Sequence, residues 1–145
     1  MSLFSALSVS ASGMAAQRTR AEVLVENLAN SETTRTPDGG PYRRKDVVFS
    51  SAPATSSFAS VFRTSLDQSA QGVQVAGVVE DSSPPDRRYL PGHPDADPEG
   101  YVSFPHINPA EDMVDLLSAS RGYDANVAAI SAVKDMIQRS IDIFR

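Results

Sequence analysis

The chain has 145 residues, a formal net charge of −5 and no cysteine or tryptophan. Those figures fit one domain, or one domain with helical arms. They disfavour nucleic-acid and anionic-membrane partners and exclude disulfides, thiol catalysis and cysteine zinc sites. No run of about 18 apolar residues is present to span a bilayer. The start, Met1-Ser2-Leu3-Phe4-Ser5-Ala6-Leu7, lacks the basic leader and continuous apolar stretch of a cleaved signal peptide.

Residues 3–29 read as a long helix. Leu7, Met14, Ala21 and Leu28 recur at steps of seven, Phe4, Ala11 and Val25 fill the alternate row, and no proline interrupts the run. Ser2 is the candidate cap. Small residues at Ala11, Ala15, Ala16 and Ala21 let a second helix approach closely. Asn30 is placed to close the helix in the left-handed conformation. Asn27, one turn earlier, is a poor helix former, and an amide there is justified by a bond across to a neighbouring backbone or side chain.

Thr36-Pro37-Asp38-Gly39-Gly40-Pro41 is a turn cluster. Tyr42-Arg43-Arg44-Lys45-Asp46-Val47-Val48-Phe49 follows as a short strand, its three bases a solvated edge or protein contact. Residues 50–72, rich in Ser, Ala, Thr and Gln, form a variable loop in which Phe58, Val61, Phe62 and Leu66 suggest a docking turn. Val73-Gln74-Val75-Ala76-Gly77-Val78-Val79 is the best strand, with a bulge expected at Gly77. After the Ser83-Pro84-Pro85-Asp86 turn come two brief extended pieces, Arg87-Arg88-Tyr89-Leu90 and Tyr101-Val102-Ser103-Phe104.

Residues 109–144 read as a second long helix. Asn108 caps it, Pro109 takes the first position, and Glu111 is placed to close a capping box. Met113, Leu116, Tyr123, Val127, Ile130, Ile137, Ile141 and Phe144 form a stripe broken at Ser120 and Lys134. Thirty-six residues span roughly 54 Å at ~1.5 Å per residue, whereas a compact body of this length has a radius of gyration near ~15 Å. Such a seam overhangs its own domain and wants a partner.

The fold class is therefore mostly α with a small β insert, two long coiled-coil-type helices flanking a β-rich middle. The divisions are residues 1–36, 37–108 and 109–145. The expected subunit interface, formed within the same or between adjacent subunits, is Leu7, Met14, Ala21, Leu24, Asn27, Leu28 and Asn30 with Met113, Leu116, Tyr123, Asn126, Val127, Ile130, Ile137 and Ile141.

Chemistry is sparse. Asp95, Asp97, Glu99 and Gly100 copy the opening of a calcium loop, but His106 stands where the bidentate Glu belongs. His93 and His106 share no metal-ligand spacing. Arg121, Tyr123 and Asp124 are explained by helix spacing. No catalytic, cofactor or metal residue is expected, and the chain does not read as an enzyme.

The ends together resemble the flagellar basal-body rod proteins. Glu26-Asn27-Leu28-Ala29-Asn30-Ser31, after an Ala-rich helix bearing Gln17 and Arg18, matches that family's Asn-Leu-Ala-Asn run. The segment from Pro37 through Tyr42 to Phe49, Gly100-Tyr101-Val102, Glu111-Asp112-Met113-Val114 and Ala119-Ser120-Arg121-Gly122-Tyr123-Asp124-Ala125-Asn126-Val127 are similar to a proximal-rod member. Glu26 departs from the family, where a second Asn is frequent. The resemblance implies a periplasmic, helically assembled subunit whose terminal helices order on docking. It implies export by the flagellar type III apparatus without signal cleavage. The implied partners are copies of itself, other rod proteins, hook-basal-body and MS-ring components. The rival reading is a soluble coiled-coil adaptor or secretion chaperone using the same seams.

Overall fold

The computed structural model describes residues 3–37, 39–51 and 71–143. Helix α1 runs Leu3–Ala29, strands β1 Lys45–Ser51, β2 Val73–Glu80, β3 Asp86–Tyr89 and β4 Tyr101–Phe104 follow, and helix α2 runs Pro109–Ile143. The cap expected at Ser2, the side chain of Asp38, the turn expected around Phe58 to Leu66 and the stripe's Phe144 lie outside the described residues.

The two helices form an antiparallel hairpin. Gly13 lies against Asn126, Gln17 against Gly122, and Arg20 Nη2 stands 3.6 Å from Asp115 Oδ1. Ala16, Val23 and Leu24 of α1 are buried, as are Ala119 and Val133 of α2. The hairpin interior is thus built largely from small residues, which allow close helix approach.

The strands make two antiparallel pairs, β1 with β2 and β3 with β4. Valine supplies half of β2 and two of the seven residues of β1, as a half-buried pleated surface favours. Val48 pairs with Gly77 and Phe49 with Val75, so Ala76 is the extra residue of a bulge beside the expected Gly77. Serine 12 fastens this pair to α1, its Oγ accepting the Val73 N–H at 3.0 Å. Beyond the second pair, Val102, Phe104, Pro105 and Ile107 are buried and lead the chain into α2.

Both helix boundaries rest on asparagine. Asn108 caps α2, its Oδ1 accepting the Ala110 N–H at 3.2 Å and its carbonyl the Asp112 N–H at 3.1 Å. Glu111 stays exposed. Asn30 does not adopt the expected left-handed conformation, since no non-glycine among the described residues has positive φ. Its side chain closes α1 instead: Nδ2 donates to the Glu26 carbonyl at 2.9 Å, alongside its backbone N–H at 3.1 Å. A side-chain donor removes the need for the strained turn.

Candidate assembly surface

Asn27 is fully buried, 0% exposed. Its Nδ2 donates to the Lys45 carbonyl at 2.8 Å, and its Oδ1 accepts the Lys45 N–H at 3.0 Å and the Tyr42 hydroxyl at 3.0 Å. The amide therefore occupies the edge of β1 as a neighbouring strand's peptide would. The bond across that its placement in the helix called for is formed, and it lies inside the subunit. Burial, with the Glu26 charge nearby, pushes the Tyr42 phenol up to about 12.

Around this latch sits a ring of ion pairs. Lys45 Nζ meets Glu26 Oε1 at 2.6 Å. Arg44 reaches the first turn of α2, with Nη2 2.9 Å and Nε 3.3 Å from Asp112 Oδ1, and its Nη1 lies 3.2 Å from Asp46 Oδ2. Asp112 is buried, and its Oδ2 has no hydrogen-bond partner. Negative charge in a first helical turn is favourable. One polar hub thus ties the end of α1, the start of β1 and the start of α2 together.

The hairpin has a second, apolar character. On α1 the faces used are Ser12 and Val23 toward β1 and β2 and Gly13, Gln17 and Arg20 toward α2. At 3.6 residues per turn, Leu7, Met14, Ala21 and Leu28 point roughly half a turn away from Ser12 and Val23. They are half-buried, and the neighbouring Phe4, Ala11 and Val25 are exposed. On α2 the inward row is Asp112, Ala119, Asn126 and Val133, again at steps of seven. The expected stripe is displaced from it: Leu116, Ile130 and Ile137 are half-buried at its edge, while Met113 at 52%, Tyr123, Val127 and Ile141 at 56% are exposed. At the open end, Leu3, Phe4, Ile137, Ser140 and Ile141 line an apolar cleft of ≈ 270 Å³.

The helices pair antiparallel with Gly13 and Gln17 set against Asn126 and Gly122, and Leu116, Ile130 and Ile137 of the expected stripe are half-buried. Of the fifteen expected interface residues, Leu24 and Asn27 are buried within this chain. Asn30 bonds its own helix, and Asn126 Nδ2 donates to the Gly122 carbonyl at 2.8 Å. The three amides therefore have intrachain partners. Sequence reasoning also passed over exposed Val114, Leu117, Met136 and Ile143, and the hub residues Tyr42, Arg44 and Asp112. An acid beginning an apolar helix one step before Met113 was the available signal for Asp112.

The calcium-like loop is a set of turns. Asp97 Oδ1 accepts the N–H groups of Glu99 and Tyr101 at 3.0 and 2.8 Å, its Oδ2 meets Arg87 at 2.6 Å, and Gly100 supplies a φ of 84°. Asp95 Oδ2 accepts the Thr34 hydroxyl at 2.8 Å. Among the described residues no three acids or histidines converge on one point, and no helix is long and apolar enough to cross a membrane.

Residues 99–143 match the family model described as flagellar basal body rod FlgEFG protein C-terminal. The flagellar basal-body rod protein FlgC of Borreliella burgdorferi is 42% identical, the alignment covering 100% of this chain and 99% of that protein. Its namesake in Bacillus subtilis is 41% identical over 99% of each chain. That of Salmonella typhimurium is 37% identical over 99% of this chain and 98% of its own. These names lend nothing to the adaptor or chaperone reading. The chain belongs to the FlgC family of flagellar basal-body rod proteins.

Proposed function

We propose that this rod subunit assembles helically through the uncovered apolar flanks of its two helices, building the proximal part of a drive shaft that transmits torque. The observation that carries the reading is the pairing of two facts. The hairpin is covered by β1 and β2 on one side, and it leaves Leu7, Met14, Met113, Tyr123, Val127 and Ile141 half-buried or open on the other. A strip of that kind seated on neighbouring copies, head to tail, gives open growth rather than a closed ring.

In this reading residues 1–36 and 109–145 are the axial arms and residues 37–108 the outward-facing insert that touches other rod proteins. Passage through the flagellar type III apparatus without signal cleavage places the subunit in the periplasm. Coiled-coil contacts form between subunits, and the arms gain order as flank burial offsets their conformational entropy. The neighbours are copies of this chain, other rod proteins and components of the hook-basal body and MS ring. The part played is mechanical, with no catalytic step.

The test is Val127→Asp. Val127 is 41% exposed on the flank and away from the hub, so the purified variant should keep its far-ultraviolet circular dichroism and be exported. Cells carrying it should form no rod and fail to swim. Normal motility would overturn the assignment of this flank to assembly.

A further inference from the structure

Each long helix contains a single glycine: Gly13 in α1 and Gly122 in α2. Each is followed one turn later by an amide, Gln17 and Asn126 respectively. Across the antiparallel pair each amide covers the other helix's glycine. A Cβ on Gly13 would lie 2.9 Å from Asn126 Oδ1 and 3.1 Å from its Cγ and Nδ2. A Cβ on Gly122 would lie 3.2 Å from Gln17 Cδ and 3.4 Å from its Cγ and Nε2. Glycine is a poor helix residue, and here a Cβ at position 13 would collide with the Asn126 amide, while one at position 122 would force Gln17 to give by a few tenths of an ångström.

We infer that Gly13, Gln17, Gly122 and Asn126 form a reciprocal notch that sets the register of the hairpin. Asn126 is pinned in it, because its Nδ2 bond to the Gly122 carbonyl, 2.8 Å long, would break if the amide swung aside. Gln17 Oε1 is buried without a partner, so shape and not that oxygen's bonding holds Gln17 over Gly122. Slipping one helix by a turn fails in either direction. One slip sets Gln17 against Asn126, two amides in the space of one, and Gly13 against Ile130. The opposite slip sets Gly13 against Gly122, leaving a void, with the amides against Val9 and Ser118. In the observed register Arg20 also reaches Asp115. Register decides which apolar residues of the two flanks stand side by side, but the inference does not depend on the rod reading.

The chain has no native cysteine, so nitroxide labels on Ser8→Cys and Glu111→Cys, both exposed positions and far apart along the hairpin axis, can report register in the full-length protein by pulsed dipolar spectroscopy. The otherwise native chain should give one narrow distance. Gly13→Ala should shift it by about 5 Å, one helical turn, or broaden it to several populations. Adding Asn126→Ala should restore the narrow peak. Asn126→Ala alone, which empties the notch without a clash, should broaden the distribution while helix content holds. Four results would each overturn the inference: no narrow native distance, an unmoved peak in Gly13→Ala, no recovery in the double variant, or an unchanged distribution in Asn126→Ala.

Discussion

Replacing Asn27 with alanine removes three hydrogen bonds at once and orphans groups on two other elements: the Tyr42 hydroxyl and the N–H and carbonyl of Lys45. A typical bond contributes about 1 kcal/mol net, and an unpaired buried group costs about 1–3 kcal/mol. Tyr42 is buried and Lys45 half-buried, so water relieves part of the Lys45 loss, and the sum is roughly 3–5 kcal/mol. Against a usual total of about 5–15 kcal/mol that is a large share, and it lowers the melting temperature by about 10 °C or more. Urea unfolding followed by circular dichroism measures it, with Tyr42→Phe as the control that removes one bond and costs about 1 kcal/mol. Asn27→Asp separates bonding from shape. Its carboxylate accepts from Lys45 N–H and Tyr42 but confronts the Lys45 carbonyl without a proton, in a buried site that disfavours charge. The folded-state pKa of the introduced group is then raised, so its penalty is small below the ordinary carboxylate pKa and grows as pH rises through the raised value. An Asn27→Ala loss under about 1 kcal/mol, or an Asn27→Asp variant as stable as the native chain at neutral pH, would refute the latch.

The Arg44–Asp112 pair should be asymmetric. Arg44→Met strands a buried carboxylate and costs roughly 3–5 kcal/mol, whereas Asp112→Leu leaves an arginine that keeps Asp46 and reaches water, costing about 1–2 kcal/mol; equal losses in urea unfolding would contradict this. His106 Nδ1 lies 3.0 Å from Asp86 Oδ1, and hydrogen bonding to Asp86, then its charge, raises the imidazole above its ordinary 6.5. The partnership is therefore present below that ordinary value and lost as pH rises through the raised one. Proton NMR should show the His106 midpoint falling back in Asp86→Asn, and an unmoved midpoint would dismiss the pairing.

The element order was readable because its signals are local. Asn108-Pro109 marks the start of α2, valine-rich runs mark β1 and β2, and Gly77 marks the bulge. The pairing face of the helices was only partly readable, and the reason is physical. A search for periodic large apolar residues selects Leu7, Met14 and Val127, but helices that approach closely do so over Gly13, Ala16, Ala119 and Gly122. Those residues carry no hydropathy signal of their own. Asn27 announced itself as an amide out of place; its partner Tyr42 did not, because it lies fifteen positions further along the chain. The same limit hid Asp112, whose partner Arg44 lies 68 residues earlier.

This division of labour has a consequence for how such a subunit holds its shape. Among the described residues only ten apolar side chains are buried, Pro105 included, and four of the five in the helix pair are alanine or valine. Burial contributes about 25 cal/mol per Å² of apolar surface, so an interior of this size supplies little, and it is not directional. The directional contacts, Asn27 on β1, Arg44 on Asp112 and the amides over Gly13 and Gly122, therefore have to choose one arrangement among many of similar burial. That choice frees the larger apolar residues from the interior. Leu7, Met14, Met113, Val127 and Ile141 remain on a flank where covering them adds burial that the lone chain never had. In the assembly proposed above, a subunit fixed by polar geometry inside and left apolar on one side gains most when the next subunit arrives.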